Sequence, residues 1–593
     1  MPERPDEHAP APAPEWVAAA SSLDWSQAPS DVIGADGTWF PGGRLDTVWN
    51  LVHRHAVTHG SRIAVHWEGE PGDRRSLTYS ELSAEVETMA VALRDLGLRT
   101  GDVVAVHTSW LPETIVMMLA CMRIGAPWAT VPVSLPAEAL STRISELAPA
   151  LVLTQDGAWR RGTVIPLKAR ADEALASADS VEHTVVVRRT GMDVQWFHGD
   201  EWFSDVRARV RRPESGPAEP GPGSSLQDLL CIRQLASSTA AQHLEHTLGG
   251  ILLNAAAFHT TARSGDTFWC AGDVSWAVSS WHGLLGPLLS GDTVVVYEGT
   301  LDVPDHTRLL DIAERYRVST LLTNPAVMRT LRSWRIETDL RARDTALRHV
   351  ITAGEPVEPA LRSWMHATFT DDECTVSDAW GQIELGGIVY ATGPRTDYNP
   401  GGAIALDEGR VPVPEGGSGQ LVLTRPLPGR VVGTSPPPVF TAHGEVSPTG
   451  DVVEVSADGG FRFHGRVDAV VSVAGQLVSL EAVARALREH PYVAEATAVR
   501  LPHHQHGNRI VACVVTTVEP SGTTAHELAS TVRTELGGLA RPHAVIFVDR
   551  IDTALARTTL SHALETLLPE AAWSVLTWEE ITHAAQTMDR PGT

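Results

Sequence analysis

Lysine is almost absent from this chain of 593 residues. Its 47 basic residues include one lysine, Lys168, and all the others are arginine. Codon use in a GC-rich genome favours arginine and explains much of this bias. Such a bias does not normally remove a lysine that chemistry needs. Any mechanism that requires a lysine at another position is therefore excluded.

Basic charge, paired cysteines and long apolar segments are scarce as well. The formal net charge of −25 argues against a nucleic-acid partner, because binding to phosphates needs a basic surface. No run of about 18 uncharged apolar residues occurs, so we expect no membrane span. The N-terminus is polar and lacks an apolar signal core, which predicts a disordered arm over residues 1–20 of a cytoplasmic protein. The five cysteines have neither disulfide nor metal-site spacing and are expected to be buried free thiols: Cys121, Cys231, Cys270, Cys374 and Cys513.

Alternating helix and strand patterns indicate an α/β fold. Thr78 and Glu81 have the spacing of a capping box, and Val86, Met89 and Leu93 follow at helical intervals. A short apolar run at 103–106 is typical of a buried parallel strand. The rhythm of strand, helix and strand predicts a doubly wound sheet. A Pro-, Gly- and Ser-rich stretch at 213–225 marks a subdomain boundary, residues 401–463 form a β-rich unit, and a small α+β domain follows residue 468.

Short motifs occur in a fixed order along nearly the whole chain. They are LTYSEL at 77–82, IPLK at 165–168, WCAGDVSW at 269–276, GEP at 354–356, DAW at 378–380, TGD at 449–451 and GRVD at 465–468. In order and spacing they resemble the acetyl-CoA and propionyl-CoA synthetases of the adenylate-forming superfamily, from about residue 25 to about residue 567. The resemblance implies a large N-terminal domain, residues 21–465, made of doubly wound α/β subdomains and the β-rich unit. The resemblance further implies a hinge at 466–468, which includes Asp468, and a small, mobile α+β C-terminal lid at 469–593.

The resemblance also implies ATP-dependent activation of a carboxylate, and several residues for that step are missing. The family's Gly-rich phosphate loop corresponds to QLASSTAAQH at 234–243, which has no glycine and no lysine. Its hydroxyl residues Ser237, Ser238 and Thr239 either bind a small anion or belong to a restructured loop. Thr558 stands where the C-terminal lysine belongs. Leu477 replaces a phosphate-binding arginine and Ile383 replaces a threonine, whereas the metal-binding glutamate remains as Glu384, a catalytic candidate.

Other family positions are retained. By resemblance, the nucleotide would be bound by Gly354, Glu355, Pro356, Asp378, Asp451 and Arg466. By the same resemblance, CoA would be bound by Arg160, Gly475 and Arg533, the two arginines meeting its 3′-phosphate. Each of these residues also has a structural alternative, because Gly-Glu-Pro turns and buried Arg–Asp pairs serve the fold. We predict no resident metal site.

The acyl pocket can be predicted by the same resemblance. Its wall corresponds to Trp276, Ala277, Val278, Ala353, Trp380 and Gly381. Gly381 replaces the tryptophan that closes the pocket in acetyl-CoA synthetases, so we expect room for an acid longer than acetate unless Trp281 refills the space. A pure core role for these aromatic residues is the alternative. His282 lies in the same segment and is either a general base or a structural histidine.

These gains and losses lead to three functional hypotheses. The first is an enzyme that has lost ATP-dependent adenylation and that transfers, condenses or cleaves the acyl group of an acyl-CoA or carrier-bound thioester in a bacterial biosynthetic pathway. The second is a non-catalytic pseudoenzyme that acts as a partner. The third is an ATP-dependent carboxylic acid–CoA ligase with unconventional residues. The first implies CoA or acyl-CoA as cofactor without ATP or Mg²⁺. Its partners would be a small acyl substrate and an acyl-carrier protein or pathway enzyme.

Overall fold

The computed structural model describes most of the chain. The described residues are 12–176, 178–210, 219–234, 243–355, 357, 359–370, 373–394, 396–407, 409–431, 439–441, 444–457, 460–466, 470–473, 476–503, 507–536, 540–552, 555, 557–567 and 573–588. They divide into two compact units, the first within 12–403 and 425–431, the second within 404–424 and 439–588. In this division the β-rich strands group with the C-terminal residues, and the domain bounds near residue 465 stay a prediction.

Two large sheets form the frame of the first unit. The strands of the seven-stranded sheet are, in spatial order, Asp200–Trp202, His183–Val187, Leu151–Gln155, Val104–Val106, Trp128–Thr130, Leu229–Gln234 and His243–Thr247. Those of the nine-stranded sheet are Thr396–Tyr398, Gly387–Gly393, Thr375–Gln382, His349–Thr352, Thr320–Thr323, Thr267–Cys270, Thr293–Tyr297, Ile63–Glu68 and Arg74–Thr78. The central strands of both sheets are parallel, which confirms the doubly wound α/β prediction.

Helices and short strands surround these sheets. The helices are Pro14–Ser21, Arg54–His59, Tyr79–Asp95, Pro112–Ile124, Ala137–Leu147, Leu167–Leu175, Phe203–Ala208, Leu248–Ala262, Ala277–Ser280, Gly286–Leu289, Arg308–Arg315, Pro325–Ser333, Glu337–Arg341 and Pro359–Phe369. Wider helical turns occupy Trp49–His53 and Trp281–Leu285, and a tight turn occupies Ile383–Leu385. A small sheet contains Trp25–Gln27, Arg44–Leu45 and Ser224–Ser225, and a hairpin joins Ala158–Arg160 to Thr163–Ile165.

The second unit has smaller sheets. A β-rich part contains Ala403–Leu406, Ser418–Leu423, Val439–Thr441, Gly444–Val455 and Phe461–Arg466. A hairpin follows at Val470–Val473 and Gln476–Ser479. A four-stranded sheet of Val493–His503, Gly507–Thr516, Ala544–Phe547 and Trp573–Val575 packs with the helices Leu480–Arg488, Gly522–Leu536, Arg557–Leu567 and Trp578–Met588. Apolar clusters on both faces of the four-stranded sheet make this part α+β, as predicted.

Local signals in the sequence account for several of these elements. The capping box at Thr78 is confirmed: its hydroxyl accepts a hydrogen bond from the Glu81 amide, and the Glu81 carboxylate accepts one from the Thr78 amide. Val86, Met89 and Leu93 are fully buried on the inner face of the helix that follows. All five cysteines are buried, and none forms a disulfide bond. Among the described residues, no helix is long and apolar enough to cross a membrane.

The single lysine is part of the fold. The side chain of Lys168 is fully buried, and its Nζ pairs with Asp172 and lies 2.6 Å from Asp200 Oδ2. The Gln195 carbonyl accepts a further hydrogen bond at 3.2 Å. Lys168 is therefore occupied by structural contacts and is not available to a reacting group.

We predict that Lys168→Met destabilises the protein by about 3 kcal/mol or more, because the two carboxylates would keep their burial and lose their counter-ion. Arg209→Met is the matched control. Its ion pair with Glu201 is exposed, and its loss should change the free energy of unfolding by less than about 1 kcal/mol. Urea denaturation of both variants measures the difference, and equal effects would contradict the structural role of Lys168.

Candidate active site

The carboxyl ends of two parallel strands bring the first group of predicted residues together. Gly354 follows His349–Thr352, and Asp378 lies on the neighbouring strand directly opposite Thr352. Thr352 Oγ1 donates to Asp378 Oδ1 over 2.7 Å. Gly354 has a φ of +99°, and a Cβ atom there would lie 3.3 Å from the Trp276 ring. Ligands of open α/β sheets bind at such strand ends.

The surrounding charges at this edge are mostly paired. Arg362 forms an ion pair with Asp378, and Arg329 forms one with Glu355. Glu384 lies in the tight turn Ile383–Leu385, and in the described part of the chain its carboxylate has no ion pair. No group of three or more possible metal ligands occurs among the described residues. A single unpaired carboxylate suits Mg²⁺ that is bound mainly through phosphate oxygens and water.

A cavity of about 350 Å³ opens in the first unit. Its lining includes one end of the hairpin, where Arg160 Nη1 lies 3.5 Å from Asp273 Oδ2. Aromatic side chains give it an apolar wall: Trp110, Trp269, Tyr297 and Trp334. The cavity therefore joins a rim of paired charges, Arg160 with Asp273 and Arg161 with Asp302, to a surface suited to apolar groups.

Glu298 is the titratable group of this cavity whose pKa is moved furthest towards neutrality. Burial raises the pKa of its carboxyl to about 7, although the Arg189 guanidinium, 2.6 Å away, favours the ionised form. Arg189 also pairs with the exposed Asp73. Burial and the Arg189 guanidinium therefore act in opposite directions on the charge of this carboxyl.

The predicted acyl-pocket residues are mostly buried, but Gly381 does not open the pocket. A Cβ atom at Gly381 would lie 2.0 Å from the carbonyl oxygen of Gly387 on the adjacent antiparallel strand. The glycine permits a close approach of two strands, so this position itself adds no space to the pocket. Trp281 is fully buried. At least nine-tenths of the surface is buried in Ala277, Ala353 and Trp380, whereas Trp276 and Val278 are half-buried.

His282 is a structural residue and not a base. Its Nε2 accepts a hydrogen bond from the Ile388 amide over 2.9 Å, and the ring is fully buried. Burial lowers the pKa of His282 to about 3, so the ring is neutral. The sequence pattern placed His282 in the right segment, but its orientation towards a strand depends on packing that spacing alone does not determine.

The second unit holds the other predicted residues. Asp451 and Arg466 face each other across two antiparallel strands, with Oδ1 and Nη1 3.4 Å apart, and Arg466 also donates to the Thr449 carbonyl. Arg533 is exposed on the helix Gly522–Leu536, and no described carboxylate pairs with it. Arg557 pairs with Glu481, so its charge is already engaged beside the position of the missing lysine.

Some predicted positions lie outside the described residues. They are Ser237, Ser238, Thr239, Pro356, Asp468 and Gly475. Their roles stay predictions. Sequence reasoning in turn missed Glu298, because the strand Thr293–Tyr297 that precedes it carries no recognisable motif.

The comparisons with known proteins bear on this arrangement. The family described as "AMP-binding enzyme" matches residues 52–430, and "AMP-binding enzyme C-terminal domain" matches residues 482–556. This chain belongs to the AMP-binding enzyme family. The match confirms the predicted superfamily and its arrangement of a large N-terminal and a small C-terminal domain.

Relatives of this family member cover nearly its whole length. A Streptomyces avermitilis protein named acetyl-coenzyme A synthetase is 33% identical over 94% of this chain and 89% of its own. A Mycobacterium bovis protein of the same name is 36% identical over 89% and 85%. The structure of acetoacetyl-CoA synthetase from Streptomyces lividans has a TM-score of 0.77 at 20% identity, covering 96% of this chain and 92% of its own, and shows the common fold. A Brucella canis acyl-CoA synthetase has a TM-score of 0.62 at 25% identity, covering 90% and 94%.

These findings correct two expectations. The hypothesis that the chain has lost ATP-dependent adenylation is wrong, since relatives named acetyl-coenzyme A synthetase match it at 33% to 36% identity over most of its length. The expectation that ATP and Mg²⁺ are not used is wrong for the same reason. The physical cause of the error is that lost donor groups lower the rate of a step without changing the reaction that the fold supports.

Proposed function

We propose that this protein is an ATP-dependent carboxylic acid–CoA ligase with unconventional phosphate-contacting residues. A carboxylate oxygen would attack the α-phosphorus of ATP, and pyrophosphate would leave. The CoA thiol would then attack the acyl carbonyl, lose its proton and displace AMP. The supporting observation is the group of Gly354, Asp378 and Glu384 at one edge of the nine-stranded sheet, in a chain related over its length to acetyl-coenzyme A synthetases.

The nucleotide and its metal ion are assigned to that edge. Gly354 brings bare backbone beside the Trp276 ring, which leaves a flat surface for a planar base. Glu384 has an unpaired carboxylate and would hold the Mg²⁺ that accompanies ATP, an ion that typically uses one or two carboxylates plus phosphate oxygens. The metal ion would neutralise part of the polyphosphate charge.

The missing cations predict slow adenylation. Loss of one preorganised donor typically lowers a rate by about 10²- to 10³-fold, and such losses do not add when the residues act together. Thr558 takes the place of a lysine at the first turn of the helix Arg557–Leu567. Arg557 cannot substitute for it while it pairs with Glu481.

We predict that Thr558→Lys accelerates carboxylate-dependent ATP–pyrophosphate exchange by about 10²-fold, because the family resemblance assigns the lysine of the adenylation step to this position. The wild type should show slow exchange that depends on added acid, and Glu384→Gln should reduce it further. Exchange of labelled pyrophosphate into ATP measures all three proteins.

The control for this gain is Thr559→Lys, which adds the same charge one position along the same helix and should leave the rate unchanged. Equal acceleration by both variants would indicate a non-specific charge effect. Absence of acid-dependent exchange in the wild type and in Thr558→Lys would contradict the proposed ligase.

CoA is assigned to the cavity beside Arg160. At its rim of paired charges, Arg160 would bind a phosphate group, and the aromatic wall would contact the pantetheine arm. The Asp273 carboxylate pairs with Arg160 at 3.5 Å and competes with a phosphate for it. A charge-assisted hydrogen bond to phosphate would replace that pair.

We predict that wild-type protein binds CoA more tightly than 3′-dephospho-CoA, and that Arg160→Ala removes this difference, which should be about tenfold or more. Asp273→Asn is the complementary variant and should keep or widen the difference, because it removes the competing carboxylate. Isothermal titration calorimetry compares the two ligands. Equal affinities of the wild type for both would refute the assignment of Arg160.

A further inference from the structure

Arg233 is a buried cation without a counter-ion. It lies on the strand Leu229–Gln234, is 4% exposed, and its guanidinium carbon lies 5.4 Å and 5.1 Å from the ring centroids of Trp128 and Trp281. It donates hydrogen bonds to three neutral oxygens, the hydroxyls of Thr130 and Ser280 and the Ser275 carbonyl. No described carboxylate lies within ion-pair distance of it.

The groups around Arg233 do not neutralise it. Burial lowers the pKa of Arg233 to about 10, which still leaves it charged at neutral pH. Burial raises the pKa of the nearby Cys231 thiol to about 11, so the thiol is neutral. His246 packs against Trp281 with ring centroids 4.7 Å apart, and burial lowers its pKa to about 3. The sequence at 235–242, LASSTAAQ, carries no acidic residue.

Hydrogen-bonding capacity also remains unused, both for donors and, at the neutral His246 ring, for one acceptor. Arg233 Nε and both ring nitrogens of His246 are buried without a hydrogen-bond partner in the described structure. Such groups are rare in folded proteins because each loses its contacts with water. Arg308 shows how a buried arginine is usually paired. It is equally buried, and its Nη1 lies 3.1 Å from Glu68 Oε1. Arg233 therefore has the charge and the free donor of a binding site for an anion.

The position of Arg233 indicates where the anion would come from. Two of its three acceptors, Ser275 and Ser280, flank the segment 276–278 that the family resemblance assigns to the acyl-pocket wall. A planar guanidinium binds a carboxylate through paired hydrogen bonds and does so best away from water. A carboxylate at the far end of the acyl substrate would supply the missing negative charge.

We propose that the acid activated by this protein is a short dicarboxylate, and that Arg233 binds the carboxylate that is not activated. This inference rests on the proposed ligase function. Trp128 and Trp281 hold the guanidinium in place, and Thr130 and Ser280 fix its plane. A monocarboxylate of equal length would leave the cation unpaired beside an apolar tail, so the site discriminates by charge.

The test compares acids of equal chain length in ATP-dependent exchange: propionate with malonate, butyrate with succinate, and valerate with glutarate. We expect the wild type to prefer one diacid over its matched monoacid by about tenfold or more in kcat/KM, mostly through KM. Arg233→Met should reverse that preference. Arg209→Met is the control. It should keep the preference for the diacid, because Arg209 is exposed and pairs with Glu201.

Each outcome decides the inference. Preference for the monoacid in every pair would overturn it, and this arm needs only wild-type protein if Arg233→Met does not fold. If none of the acids supports exchange, the ligase proposal is refuted. The diacid site would then be supported if diacids raise the wild-type Tm more than monoacids do, and refuted if they do not. An equal rise with inorganic phosphate or chloride, lost in Arg233→Met, would indicate a free-anion site and overturn the substrate assignment.

Discussion

The parallel pairing of two strands, His349–Thr352 and Thr375–Gln382, is the contact on which the candidate site depends. It sets Thr352 opposite Asp378 and joins them by a 2.7 Å hydrogen bond. The chain leaves the first strand through Gly354, whose positive φ turns bare backbone towards Trp276. The second strand continues to the turn that carries Glu384. One register thus places an open backbone, a hydrogen-bonded carboxylate and an unpaired carboxylate at the same sheet edge.

A second constraint is that arginine supplies nearly all the positive charge. Arg308, which is as buried as Arg233, pairs with Glu68, and the half-buried Arg189 pairs with Glu298. Among the described residues Arg233 has no such acidic partner, because two indole rings and neutral oxygens surround its charge. Burying an ion without a partner is unfavourable. An unpaired Arg233 is therefore expected at a site that binds an anion and not in a core that serves packing alone.

Much of the architecture was predictable from the sequence, since local signals such as the Thr78 capping box and the ordered motifs act over short distances or through family resemblance. The chemistry of the individual site residues was less predictable from the sequence. His282 and Gly381 lie in the predicted segments, yet one turns to accept a backbone hydrogen bond and the other lets two strands meet. Arg233 and Glu298 acquire their properties from burial among residues far apart in sequence. Spacing does not record such burial.

The functional error had a related cause. The missing lysines were each taken as essential to the reaction, although the chain is related over most of its length to proteins named acetyl-coenzyme A synthetase.

The most direct test of this account is a product measurement on the wild-type protein with ATP, Mg²⁺, CoA and a panel of short mono- and dicarboxylic acids. The account predicts that acyl-CoA and AMP form in equal amounts, slowly, and only when ATP is present. Acyl-CoA formed without ATP, or no acyl-CoA and AMP with any acid, would contradict it.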